Sequence, residues 1–259
     1  MIWYGETGRC RADPQGMYSG RVVKETERNG KMTHAGPAPR VLILYYSFSG
    51  QTGSLVYRLA GGLASRGVEV DMERLYPEVP LRFPIGTIVR TLKMMLTTSL
   101  GFRVEIAPLP PVCFASHDLI VLAGPTWSYN PSGPILRLLD RDGRRLFADR
   151  RVLPFISCRR YWRAHFWHPK QRLTACGATV VNRIVFSHPT SEPMLSLGVF
   201  LKLAGFNPEK SRFLGRWYPK YGHSQQQLQE AERVGARLGE ALATGRELAG
   251  LALPPAPPA

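Results

Sequence analysis

Val41-Leu-Ile-Leu-Tyr-Tyr-Ser-Phe-Ser-Gly-Gln-Thr-Gly53 runs an unbroken apolar stretch straight into a turn rich in hydroxyls. A continuous apolar run, as opposed to an alternating one, marks a parallel strand covered by helices on both faces. The turn offers Ser47, Ser49 and Thr52 around Gly50, and a helix is predicted from about Ser54 to Arg66. Backbone N–H groups at such a helix start are unpaired and carry the positive end of the dipole, so a dianionic phosphate can sit there without lysine or metal. Two familiar phosphate loops are excluded residue by residue. A nucleotide-triphosphate loop needs lysine after its second glycine, and none follows Gly50 or Gly53. A dinucleotide fingerprint needs glycine where Phe48 stands, although Glu73 lies about where its ribose-binding acid would fall.

A second strand end carries a matching signal. Leu119-Ile-Val-Leu-Ala123 leads into Gly124-Pro-Thr-Trp-Ser-Tyr-Asn-Pro-Ser132, a Gly/Pro-rich loop with two aromatics. Ligands of open parallel sheets bind beyond the carboxyl ends of the strands where the strand order reverses, which places Trp127 and Tyr129 to stack on a flat heteroaromatic ring. The first loop resembles the Ser/Thr-x-Ser/Thr-Gly-x-Ser/Thr phosphate loop of flavodoxins, matched by Ser47, Ser49, Gly50 and Thr52, and the second resembles their Gly-Pro-Thr ring loop. The resemblance implies FMN as cofactor. Its phosphate would be held by Ser47, Ser49, Gly50, Gln51 and Thr52, and its ring by Pro125, Thr126, Trp127, Ser128, Tyr129 and Asn130. A third loop departs from the family, which usually has a Gly- and Asp-containing turn there; this chain has Ser157-Cys158-Arg159-Arg160-Tyr161-Trp162. Cys158, Arg159, Arg160 and Tyr161 are the ring contacts that the resemblance places in it. Arginines beside the flavin pyrimidine would stabilise an anionic reduced ring; the alternative is that they solvate a basic surface.

The remaining pattern gives an α/β chain, a flavodoxin-like doubly wound five-stranded parallel sheet. Val68 to Leu75 alternates and predicts a less buried second strand, and Arg151 to Ser157 and Thr179 to Ser187 predict the fourth and fifth. Helices fit at about Ser132 to Leu139, Tyr161 to Cys176 and Ser224 to Thr244, the last capped by Ser224. Residues 40–246 form the domain, residues 1–39 read as a disordered leader with Met32 as a natural start, and residues 247–259 as a Pro-rich tail. Two apolar helical insertions exceed a minimal flavodoxin. Phe83 to Phe102 carries only Arg90 and Lys93 as charges, and Met194 to Phe206 follows the fifth strand. Neither is a clean membrane span. They are expected either to pack on each other as an added core layer or to wall a greasy cleft for a long-chain or quinone-like substrate.

Charge separates the chain from electron shuttles. It has 34 Lys+Arg against 19 Asp+Glu, a net charge of +15, whereas shuttle flavodoxins resemble ferredoxins in being acidic. A basic surface suits an acidic acyl carrier protein, an anionic membrane surface, or solubility alone. No nucleic-acid module accompanies the arginines between Arg137 and Arg151, so nucleic acid is not an expected partner. Cys10, Cys113, Cys158 and Cys176 form no C-x-x-C pair and no signal peptide precedes the first strand, which predicts the reducing cytoplasm, with the inner membrane face as a peripheral site. His165 and His168 lie one helical turn apart without an acidic or thiol ligand near them, so no metal is expected. A serine hydrolase elbow is absent, since Phe48 precedes Ser49 where glycine is needed.

Along residues 40–245 the chain resembles the flavodoxin-like branch of dialkylresorcinol condensing enzymes. The carrying residues are Leu44-Tyr45-Tyr46-Ser47 with Ser49-Gly50-Gln51-Thr52, the Trp127 to Ser132 loop, and Tyr218-Pro-Lys-Tyr-Gly222 before the last helix. That branch implies β-keto acyl chains becoming an alkylated aromatic ring, yet no ketosynthase-type Cys/His pairing can be placed. The leading expectation is an FMN-dependent oxidoreductase on a hydrophobic substrate. A condensing or aromatising enzyme of alkylresorcinol biosynthesis is the second reading, and a flavin-free accessory protein binding an acyl carrier or membrane is the third.

Overall fold

Apolar residues alternate sides along the chain's central strand and meet a helix layer on each. The computed structural model describes residues 11–12, 18–22, 37–128, 130–159, 162–190, 192–218 and 221–253, with backbone alone at 11–12, 18–22 and 162–165. In chain order the elements are β1 (Arg11–Ala12), β2 (Tyr18–Val22), β3 (Arg40–Tyr45), α1 (Gln51–Ala64), β4 (Glu69–Arg74), α2 (Ile88–Ser99), β5 (Leu119–Trp127) and β6 (Asn130–Pro131). They continue with α3 (Gly133–Arg141), α4 (Gly143–Phe147), β7 (Arg151–Cys158), α5 (Trp162–Ala175), β8 (Thr179–Val180), β9 (Ile184–Ser187), α6 (Met194–Leu203) and α7 (Gln225–Ala243).

The parallel strands run in the order β4-β3-β5-β7, with β8 and β9 both beside β7. This is the doubly wound order 2-1-3-4-5 of flavodoxin-like folds, as expected. The fifth strand is divided: Thr179 and Val180 pair with Arg151 and Val152, and Ile184–Ser187 pair with Phe155–Cys158. On β3, Val41, Ile43 and Tyr45 pack with Leu55, Leu59 and Leu63 of α1 and Val234 and Leu238 of α7. Leu42 and Leu44, with Tyr46 just beyond the strand, pack with Ile135 and Leu138 of α3, Leu146 and Phe147 of α4 and Leu173 of α5. Two-sided burial is the reason the run has no polar break. The α1–α7 layer closes on glycine: a Cβ on Gly62 would lie 2.0 Å from Glu232 O, and one on Gly235 2.1 Å from Leu59 O.

Three features differ from the sequence reading. The leader is not without structure where it is described, because β1 pairs β2 and β2 pairs β4 antiparallel, adding a ribbon outside the second parallel strand. That strand is also more buried than its alternation predicts. Asp71 is buried because it accepts hydrogen bonds from Arg40 Nη2 (3.0 Å) and His117 Nε2 (3.1 Å), which compensate its carboxylate. The tail belongs to the domain as far as the described chain goes. Leu248 is 2 % exposed in the α1–α7 core, and Asn182 Nδ2 donates to the carbonyls of Leu248 (2.8 Å) and Leu251 (3.1 Å). Residues 254–259, the Pro-Pro-Ala repeat, lie outside the described residues.

Leu248→Ala should therefore lower unfolding free energy by about 2 to 5 kcal/mol, the usual loss for a buried leucine. Urea denaturation checks it, and a variant as stable as the parent would return this segment to the status of a tail.

Candidate functional site

At the end of β3 the chain must turn out of a fully buried ladder, and residues 46–50 do so around a left-handed glycine. Gly50 has φ 83°, where a Cβ would be strained, and serves as N-cap of α1 without a side-chain bond of its own. Ser47, 0 % exposed, turns inward and accepts from Gly53 N–H at 3.1 Å. Helix α1 consequently begins at Gln51, three residues earlier than predicted, and Ser47 supports its first turn from inside and is not part of the wall of the adjacent cleft. No hydrogen bond among the described residues takes up the N–H groups of Gln51 and Thr52.

Beside this turn lies a cleft of about 130 Å³. Of the expected site residues it brings together Ser49, Gln51, Thr52, Pro125, Thr126, Trp127, Ser128, Cys158 and Arg159. Gly50 shapes the turn from behind. Asn130 is not in the wall, since its Nδ2 donates to the carbonyls of Thr98 and Ser99 (3.1 Å each) and so holds the C-terminal end of α2. Tyr129, Arg160 and Tyr161 lie outside the described residues. Among the described residues the cleft wall contains no carboxylate and one cation, Arg159, whose Nη1 donates to Ser196 Oγ of α6 at 3.4 Å.

Helices α2 and α6 supply the apolar wall, through Met94 and Met95 on one and Val199, Phe200 and Leu203 on the other. The two insertions thus line a cleft that opens at Trp127, and they do not bury each other as a closed layer. Trp127 is held edge-on by Tyr46 (centroids 5.7 Å) and Phe48 (5.6 Å), and Phe48 in turn meets Phe83, whose ring stacks on Tyr221 at 5.7 Å. Tyr221 was quoted in the sequence only as part of the segment before the last helix. Its hydroxyl lies in the electrostatic reach of Ser49 and Gln51: burial raises its pKa and those two side chains oppose the rise.

The deepest polar feature is a chain of three residues that the sequence reading did not connect. Gln227 Oε1 accepts from Ser224 N–H (3.0 Å) and its Nε2 donates to Ser187 O (2.6 Å), so backbone partners on both sides fix the amide's orientation. The same Oε1 faces His223 Nδ1 at 3.3 Å, and an oxygen there requires the ring proton on Nδ1. Nε2 is then the lone pair, and Ser157 Oγ donates to it at 2.9 Å. Ser157 therefore presents acceptor lone pairs, not its proton, to the cleft. His223 is 6 % exposed, and burial first, with the nearby His188 adding to it, lowers its pKa to about 4 against the opposing bond from Gln227. His188, also lowered to about 4 by burial, has Thr190 N–H at Nδ1 (3.1 Å) and Gly222 N–H at Nε2 (3.3 Å); the neutral ring can accept one of them, and a second ring proton would leave it no acceptor for either. The Tyr218 ring stacks on it at 5.5 Å. Neither deeply buried thiol is activated: burial pushes Cys113 and Cys158 up to about 12.

No protein-family model matches the chain, and no curated protein matches it. Solved structures similar in course include a putative flavoprotein from Bacteroides uniformis (14% identity, 63% of this chain and 99% of that one, TM-score 0.44). A WrbA-like flavodoxin from Agrobacterium tumefaciens is 12% identical over 80% of this chain and 99% of its own, with TM-score 0.43. An NAD(P)H:quinone oxidoreductase from Methanothermobacter marburgensis is 14% identical over 78% and 100%, with TM-score 0.42. Among the described residues no group of three or more His, Cys, Asp or Glu could hold a metal, and no helix is long and apolar enough to cross a membrane.

The two histidines make stability acid-sensitive. An unfolded histidine titrates near 6.5, and both are lowered to about 4 when folded. The unfolded chain therefore binds more protons between those values, and stability falls as pH drops from about 6.5 to 4. Up to about 3 kcal/mol per histidine is lost across that window. Melting temperature against pH measures it; His223→Gln should flatten the curve, and an unchanged slope would contradict the buried neutral ring.

Proposed function

We propose that the chain is an FMN-binding oxidoreductase of flavodoxin fold acting on a hydrophobic, quinone-like or long-chain substrate. The observation that carries this reading is convergence: the N-terminus of α1, the aromatic-bearing end of β5 with the loop beyond it and the Ser157 acceptor at the end of β7 meet in one cleft where the strand order reverses. The donor set suits a phosphate, since Ser49 and Thr52 line a cleft with no carboxylate among the described residues, and the N–H groups of Gln51 and Thr52 at its edge have no partner among them. When bound, FMN would supply hydride and electron transfer at its ring.

The chain's own groups then divide the work. Trp127, braced by Tyr46 and Phe48, offers an aromatic surface for the ring. Ser157, with its proton committed to His223, favours a ring N–H donor over an acceptor. Arg159 is the cation available to an anionic ring. Met94, Met95, Val199, Phe200 and Leu203 exclude water and receive an apolar substrate. At about 130 Å³ the cleft is smaller than the roughly 300 Å³ at which small-molecule sites begin, so loading requires the walls to part. Tyr221 is the group that must yield, because it shares the cleft wall with Ser49 and Gln51, two of the groups assigned to the phosphate, and its hydroxyl interacts with both.

The visible spectrum of the purified protein and an FMN titration followed by fluorescence quenching test the reading. A yellow protein, or saturable quenching by added FMN, is expected; a colourless folded protein that quenches none would overturn it. Thr52→Ala should weaken FMN by about 1 to 2 kcal/mol, one lost bond to a charged group. Tyr221→Phe should tighten it about fivefold by releasing Ser49 and Gln51; weaker binding would show that the phenol holds the cofactor instead of competing with it.

A further inference from the structure

Helix α2 is packed the wrong way round for a soluble monomer. At 100° per residue, Ile88, Val89, Leu92, Leu96 and Leu100 fall within one third of the helix circumference. That third faces solvent, with exposures of 46, 77, 54, 64 and 70 %. The residues turned inward are Thr91 (0 %) and Thr98 (7 %). Threonine can be buried there because its hydroxyl is satisfied within the helix, Thr91 Oγ1 donating to Thr87 O (2.8 Å) and Thr98 Oγ1 to Met95 O (3.0 Å). An apolar stripe over three turns, left in water while threonines occupy the inside, marks a surface that something else covers.

Charge identifies the cover. From Val79 to Val104 the chain has four cations, Arg82, Arg90, Lys93 and Arg103, and no carboxylate. Arg103 is paired with Asp140, while Arg82, Arg90 and Lys93 make no ion pair among the described residues. Lys93 and Arg90 follow Leu100 around the helix, so they flank the apolar sector and can extend past it toward anionic groups. We propose that this face of α2 lies on an anionic lipid bilayer, its leucines in the acyl boundary and its cations among the headgroups. A second copy fits poorly, because a two-fold contact on this face would bring together two sets of unpaired cations with no acid between them.

The placement gives the cleft a source of ligand. Met94, Met95 and Thr98 of the same helix line the cleft, so a lipid-soluble molecule leaving the bilayer meets α2 first and the cavity beside Trp127 next. This last step rests on the proposed function; the docking itself does not.

Flotation of the full chain with phosphatidylglycerol/phosphatidylcholine vesicles tests it. The protein should float with the anionic vesicles, bind pure phosphatidylcholine at least tenfold less, and be released in part by high salt. Leu92→Asp with Leu96→Asp should abolish flotation without changing the melting temperature, since both side chains are already in water. Arg90→Gln and Lys93→Gln should each weaken binding roughly fivefold. No flotation overturns the proposal, and so does flotation that survives the paired leucine change. A dimer in light scattering that Leu96→Asp dissolves, without vesicle binding, would assign the face to a second copy; binding to an acidic carrier protein and not to vesicles would assign it there. A colourless protein that floats would reject the flavin reading alone, and a yellow one that stays down would reject the docking alone.

Discussion

The bond from Gly53 N–H to the buried hydroxyl of Ser47 fixes where β3 ends and α1 begins, and the rest of the site is arranged around that point. A strand covered on both faces leaves its chain only at its end, so the first free backbone donors appear just past the sheet. Gly50 supplies the left-handed turn, Ser47 closes it from inside, and the N–H groups of Gln51 and Thr52, two residues that line the cleft, are left without a partner among the described residues. The close glycine contacts between α1 and α7 then hold that helix start against the sheet, and α7 in turn carries Gln227 and presents His223.

Proton placement in the cleft follows from a helix cap. Gln227 completes the capping box with Ser224, and the orientation this imposes on its amide passes through His223 to Ser157. Three side chains separated by up to 70 positions thus share one polarity, set by two backbone groups. Their burial keeps the imidazole neutral, which preserves Ser157 as an acceptor toward the cleft. An exposed histidine in the same place would titrate near neutral pH and lose that fixed direction.

The insertions show a different balance. Residues Ser128 and Asn130 bind the C-terminal turn of α2 through Thr98 and Ser99, so the loop beyond β5 is tied to the apolar helix. What that tie turns inward is the Thr/Met side of α2, and what it leaves outside is leucine and valine. Apolar content therefore told correctly that the segment was unlike a solvated linker, while saying nothing about which side of it met protein.

The alternation of strands and helices, the turn at Gly50 and the loops that meet at the cleft were determined by sequence alone, because each depends on local rules: an unbroken apolar run, hydroxyls around glycine, and the switch point of a doubly wound sheet. Ser49, Thr52 and Trp127 were legible as residues of one cleft for that reason. The bond that Ser47 makes to Gly53 N–H was not legible, since the direction in which a hydroxyl turns is decided by packing behind the loop. Leu248 was hidden because core membership beyond the last helix depends on Asn182 receiving the chain. The Ser157–His223–Gln227 relay, the Tyr221 plug and the outward leucines of α2 were decided only by tertiary structure: each is a meeting of side chains far apart in sequence, and the pattern of one segment does not record which partner its faces find.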